Sequence, residues 1–124
     1  MDSVTNLNAV LLINNNESSC FTIIKILENN GVKKTSTFKN APSALTYLLK
    51  TKEKYQLILV DIDLPLMDGF TFLKEYTSSI NTKKHGKVCL LSNAINSTEI
   101  YEAKFHNANL IEKPFTFEKI KHLK

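Results

Sequence analysis

Asp61, Lys113 and Ser92 are the residues whose types and positions could do chemistry together. Asp61 closes a run of aliphatic residues, Leu57-Ile58-Leu59-Val60, so its carboxylate should be half-buried at the end of an element. Ser92, followed by Asn93, closes a second apolar run, and Lys113, followed by Pro114, ends another expected strand. Each has an ordinary explanation alone: an Asp capping a loop, a solvated Lys, a strand-end hydroxyl. Gathered on one rim they make a phosphoryl-handling set. Asp attacks as nucleophile, Lys balances charge on the phosphoryl oxygens, and Ser and a backbone amide donate hydrogen bonds to them.

Those ends meet only if strands and helices alternate. Ala9–Ile13 is a continuous apolar run and reads as a strand buried on both faces, and Leu57–Ile62 reads as a second wholly buried strand. Val32–Phe38 is rich in β-branched residues but more polar, an edge strand. Lys87–Ser92 and Leu110–Glu112 supply the fourth and fifth strands. Between them, Ser18–Asn30 places Phe21, Ile24 and Leu27 at helical spacing, with Gly31 to end it. Asn40 can cap a helix to about Thr51, with Ala44, Leu45, Leu48 and Leu49 facing inward. Phe70–Ile80, Ser97–Asn107 and Thr116–Lys124 read as the remaining helices. The segment Asp63–Gly69 is a loop, punctuated by Pro65 and Gly69. Five β-α units predict an α/β fold: an open, doubly wound parallel sheet with helices on both faces, in one domain over residues 1–124. Ligands of such sheets bind beyond the carboxyl ends of the strands. Those ends carry Asn14 and Asn15, Asp61 and Asp63, Ser92 and Asn93, and Lys113 and Pro114.

The residues also carry a family resemblance. Leu59-Val60-Asp61-Ile62-Asp63-Leu64-Pro65-Leu66-Met67-Asp68-Gly69 resembles the phosphoacceptor strand and loop of response-regulator receiver domains. Leu91-Ser92-Asn93-Ala94 resembles their hydroxyl strand, and Ile111-Glu112-Lys113-Pro114-Phe115 their lysine-proline strand end. The likeness runs along the whole chain in order. It implies a flavodoxin-like three-layer sandwich with strand order 2-1-3-4-5, working in two-component phosphorelay signalling. Asp61 would be the phosphoacceptor; Ser92, the amide of Asn93 and Lys113 would contact the phosphoryl group. Pro65, Asp68 and Gly69 would shape the loop, and a cis bond would fall at Lys113–Pro114. The implied partners are a sensor histidine kinase or phosphotransfer protein and a downstream effector protein or domain. Such a module is not an enzyme beyond self-phosphorylation and self-dephosphorylation.

Three departures from the family pattern matter. The acidic pair that holds Mg²⁺ after the first strand is replaced by Asn14 and Asn15. Of the metal set, Asp61, the backbone carbonyl of Asp63 and a neutral amide oxygen from Asn15 or Asn14 remain, so the Mg²⁺ site should be weak or absent. Each charged-to-neutral ligand change weakens an ionic contact by ~1–4 kcal/mol at effective dielectrics of about 20–80. Glu17, the nearest other acid, reads as helix N-terminal stabilisation. The aromatic residue of the family switch is Leu110 here, while Tyr101 and Phe105 read as helix-face packing. Arginine-dependent dimer contacts cannot form, because the chain has no arginine.

Composition agrees with this picture. The 124 residues carry a net charge of +4, all sixteen basic residues are lysines, and they are scattered. That distribution argues against direct nucleic-acid binding, which favours clustered Lys and Arg. Thirteen asparagines without arginine suggest AT-rich coding. No apolar run approaches the ~20 residues that span a bilayer, and no signal peptide is visible. Cys20 and Cys89 read as buried reduced thiols of a cytoplasmic protein. Two alternatives remain: a pseudo-receiver that binds partners without taking phosphate, and a haloacid-dehalogenase-like phosphatase using Asp61-Ile62-Asp63. Against the phosphatase, two β-α units precede Asp61 and no acidic pair follows Lys113.

Overall fold

The structure, a computed structural model, describes residues 7–79 and 85–121. Its elements are β1 (Ala9–Ile13), α1 (Glu17–Asn29), β2 (Lys34–Phe38), α2 (Ala41–Lys50), β3 (Leu57–Asp61), α3 (Gly69–Ser79), β4 (Lys87–Ser92), α4 (Ser97–Phe105) and β5 (Asn109–Glu112). A 3₁₀ turn, Phe117–Lys119, follows. The five strands are all parallel, in the order β2-β1-β3-β4-β5. This is the flavodoxin-like order that the resemblance implies.

Period-two alternation divides the interior into two cores. Leu11 and Ile13 of β1, Ile58 and Val60 of β3, and Val88 and Leu90 of β4 face α2 and α3. Val10 and Leu12, Leu57 and Leu59, and Cys89 and Leu91 face α1 and the terminal turn. Burial pushes the Cys89 thiol up to about 12. The asparagine surplus has a local use. Asn16, Asn40 and Asn96 cap α1, α2 and α4, their side-chain oxygens accepting from Ser19, Ser43 and Glu99 N–H groups at 2.8–2.9 Å. Each such cap contributes roughly 1 kcal/mol.

Several local expectations need correction. In α1 the buried residues are Ile23 and Leu27, while Phe21 is exposed under Lys25, so the apolar stripe is rotated. Leu49 is exposed on α2. Tyr101 and Phe105 do not pack inward; they are 70% and 72% exposed and stack on each other along α4. Only Ala103 of α4 is buried, because this helix has no coherent apolar face. Cys20 is half-buried rather than buried. The segment from Thr116 forms the 3₁₀ turn, which buries Phe117 and Ile120. Ile80 and the part of the expected last helix from His122 to Lys124 lie outside the described residues.

Candidate functional site

The strand ends converge as parallel register requires. Ile13 is paired with Val60, Asp61 with Leu91, and Ser92 with Glu112. Asn14, Asp61, Ser92 and Lys113 therefore lie along one rim. Asn14, Asp61 and Ser92 are buried there, at 2%, 6% and 2% exposure. A main-chain bond from Lys113 N to Ser92 O at 2.8 Å continues the sheet past β5. The Lys113–Pro114 peptide is cis.

Asp61 has both carboxylate oxygens engaged. Its Oδ2 receives Lys113 Nζ at 2.6 Å and Asn14 Nδ2 at 3.3 Å, and its Oδ1 receives the Asp63 N–H at 2.9 Å. The Asn14 amide has a fixed sense. Its Oδ1 accepts from the Asn16 N–H at 2.7 Å, so its NH₂ must be the group that faces Asp61. Asn15 is exposed. Beside them the Cys20 Sγ donates to Asn14 O, and burial first, then Glu17, pushes this thiol up.

The loop after β3 closes tightly on the rim. Gly69 N donates to Ile62 O at 2.9 Å, and a Cβ at Gly69 would stand 2.8 Å from Ile62 Cα and 2.9 Å from Asp61 O. Only glycine lets the loop return this close to the Asp61–Ile62 backbone. Asp63 is exposed and turned outward; its Oδ2 accepts from Asn93 Nδ2 at 2.8 Å. Ser92 Oγ donates to Glu99 Oε1 at 2.6 Å, and Glu112 Oε1 accepts from the Ile95 N–H at 2.9 Å. Leu110, in place of an aromatic residue, packs half-buried against the core under α2 and α3.

A family model described as the response regulator receiver domain matches residues 10–123. The chain belongs to that family. It is a receiver domain of two-component phosphorelay signalling. A probable chemotaxis protein CheY from Rhizobium etli is 26% identical over 112 residues, 90% of this chain and 85% of that protein. The phosphorylated cyanobacterial phytochrome response regulator RcpA superposes with a TM-score of 0.77 at 25% identity, over 94% of this chain and 88% of that one. The receiver domain of a sensor histidine kinase from Pseudomonas aeruginosa, with magnesium coordinated in its active-site cleft, has the same fold. Its TM-score is 0.77 at 17% identity, over 94% of this chain and 93% of that one.

Receiver domains generally bind magnesium in this cleft, and the donor set of this chain does not fit such an ion. Magnesium takes oxygen ligands in a near-ideal octahedron and dehydrates reluctantly. Here an amide NH₂ of Asn14, not an oxygen, faces Asp61, and a lysine already neutralises the carboxylate. Among the described residues no group of three or more His, Cys, Asp or Glu side chains is arranged to hold a metal. Asp63 has its side chain committed to Asn93.

The rim thus brings together Asn14, Asp61, Ser92 and Lys113 as the sequence predicts, with Asp63 and Asn93 joined to each other beside them. Sequence reasoning missed Glu99, Glu112 and Asn16. For Glu99 a signal existed: Asn96-x-x-Glu99 is a capping-box spacing, which reveals a carboxylate at the helix start but not that it turns to Ser92.

Proposed function

We propose that Asp61 is the phosphoacceptor of this receiver and that transfer to it is slow and nearly indifferent to magnesium. The observation that carries this reading is the Asp61 carboxylate held jointly by Lys113 at 2.6 Å and the Asn14 amide at 3.3 Å. A carboxylate oxygen of Asp61 attacks the phosphorus of a phosphohistidine. The P–N bond breaks, its electron pair returns to the imidazole, and an acyl phosphate forms. Lys113 moves with the negative charge onto the phosphoryl oxygens, while Asn14, Ser92 and the Asn93 N–H donate to them. Hydrolysis restores the carboxylate. In this reading Asn14 is a donor to Asp61 rather than a metal ligand, and Asn15 and the Asp63 carbonyl give at most a weak magnesium site.

Residues 1–124 then form one receiver domain acting in the cytoplasm. It takes its phosphoryl group from a sensor histidine kinase or phosphotransfer protein. It passes the signal to an effector protein or domain, without touching nucleic acid or membrane itself. A second reading, a pseudo-receiver that binds partners without taking phosphate, is favoured by the full engagement of both Asp61 oxygens and of the Ser92 hydroxyl.

Acetyl phosphate and intact-mass spectrometry separate them. Slow labelling is expected, nearly equal in magnesium and in chelator, absent in Asp61→Asn and reduced in Lys113→Met. Fast labelling that requires magnesium overturns the metal-poor reading. No labelling, either of the natural chain or of an Asn14→Asp, Asn15→Asp variant, favours the pseudo-receiver.

A further inference from the structure

The hydroxyl that this chemistry uses is already engaged. Ser92 Oγ lies 2.6 Å from Glu99 Oε1, a short charge-assisted bond made by a buried residue. A serine has one hydroxyl proton. It cannot be given to Glu99 and to a phosphoryl oxygen at once. Glu99 is also fixed from its backbone side, because its N–H donates to the capping Asn96 oxygen in the first turn of α4. The loop that links Ser92 to α4 is held at two more points, again by carboxylates. Asp63 holds the Asn93 side chain, and Glu112 holds the Ile95 N–H.

We infer that Glu99 is a positioning residue that sets how readily this receiver takes a phosphoryl group, by competing for the Ser92 proton. The inference rests on the proposed roles of Asp61 and Ser92. When Ser92 turns to an aspartyl phosphate, the half-buried Glu99 carboxylate loses its donor in the first turn of α4. The chemical state of the rim is thereby read by α4 through a carboxylate, in a chain whose aromatic switch position is Leu110. Coupling is reciprocal. Any contact that draws Glu99 away from Ser92 raises the tendency of Asp61 to hold phosphate.

The test is the steady-state ratio of phosphorylated to free chain at a fixed acetyl phosphate concentration, measured by intact mass. Glu99→Ala should raise that ratio about tenfold or more, the range expected for a hydrogen bond to a charged group. Glu99→Gln, which keeps the shape and a neutral acceptor, should raise it less. In a Ser92→Ala chain, Glu99→Ala should change nothing. A mere loss of negative charge near the phosphoryl group, or a loosened helix, would act there as well. Phosphorylation of the natural chain with no response to either Glu99 variant, or a response that persists without Ser92, overturns this inference and leaves the phosphoacceptor reading intact. No Asp61-dependent label in any of these chains overturns both.

Discussion

Replacing Asn14 with Asp sets a second carboxylate against Asp61 on a buried rim. The Nδ2–Oδ2 separation is 3.3 Å. Two unit charges at that distance repel by about 5 kcal/mol at an effective dielectric of about 20. The hydrogen bond from Asn14 is lost as well, and Lys113 offsets part of the repulsion. A carboxylate under such repulsion takes up a proton instead, which caps the cost at pH 7 at about 4 kcal/mol, the free energy of protonating an ordinary Asp there. The expected destabilisation in chelator is roughly 2–4 kcal/mol, or a fall in Tm of roughly 6–20 °C for a domain of this size. Magnesium should reverse it. At a hundredfold excess over its dissociation constant a ligand adds about 2.7 kcal/mol to the state that binds it. Thermal unfolding at pH 7, with and without magnesium, measures both effects. The natural chain should shift by less than about 1 °C, within the scale on which a few tenths of a kcal/mol move Tm. A natural chain that gains as much from magnesium as the variant, or a variant as stable as its parent in chelator, refutes the reasoning.

Three further predictions concern the scaffold. A Cβ at Gly86 would stand 1.9 Å from the Gln56 carbonyl oxygen, while Gly86 N donates to Tyr55 O at 2.7 Å. Gly86→Ala should therefore destabilise the chain by more than about 3 kcal/mol in urea unfolding, and a loss under about 1 kcal/mol would contradict the packing described. Burial pushes Tyr55 and Tyr76 up to about 12. Both phenols stay neutral in the folded chain at pH values where the unfolded chain ionises them. Stability should thus be unaffected by them below about pH 10 and should fall from there toward about pH 12, where they ionise in the folded chain too. Among the described residues the buried Tyr76 hydroxyl has no hydrogen-bond partner, so Tyr76→Phe should unfold at the same or slightly higher urea concentration and should soften the alkaline fall. A stability that stays flat through about pH 11.5 would rule this out.

The fold was legible where burial is two-sided. β1 and β4 begin and end at the expected residues, because strands covered on both faces have continuous apolar sequences that leave little choice. That Asn14, Asp61, Ser92 and Lys113 would share one rim was legible because they sit at or just beyond the ends of strands. What escaped detection was which donor meets which acceptor. Asn14 reads in sequence as a missing acid, whereas in the structure it is a donor locked to Asp61 by the Asn16 N–H. The α4 aromatics escaped for the opposite reason. Tyr101 and Phe105 are apolar at helical spacing, but that spacing alone does not say whether their face meets the sheet, and here it points to solvent.

The sheet that divides the interior is also a partition in time. One core rests on α1 and the terminal turn and the other on α2 and α3, and the strands contribute alternate residues to each. Asn14 and Ser92 begin where those alternating apolar runs stop, Asp61 sits at the last position of β3, and none of the three belongs to either core. A lineage carrying this architecture can therefore rewrite its rim residue by residue while the two packed cores persist. In such a protein, the packed body can be inherited long after the chemistry at its rim has changed.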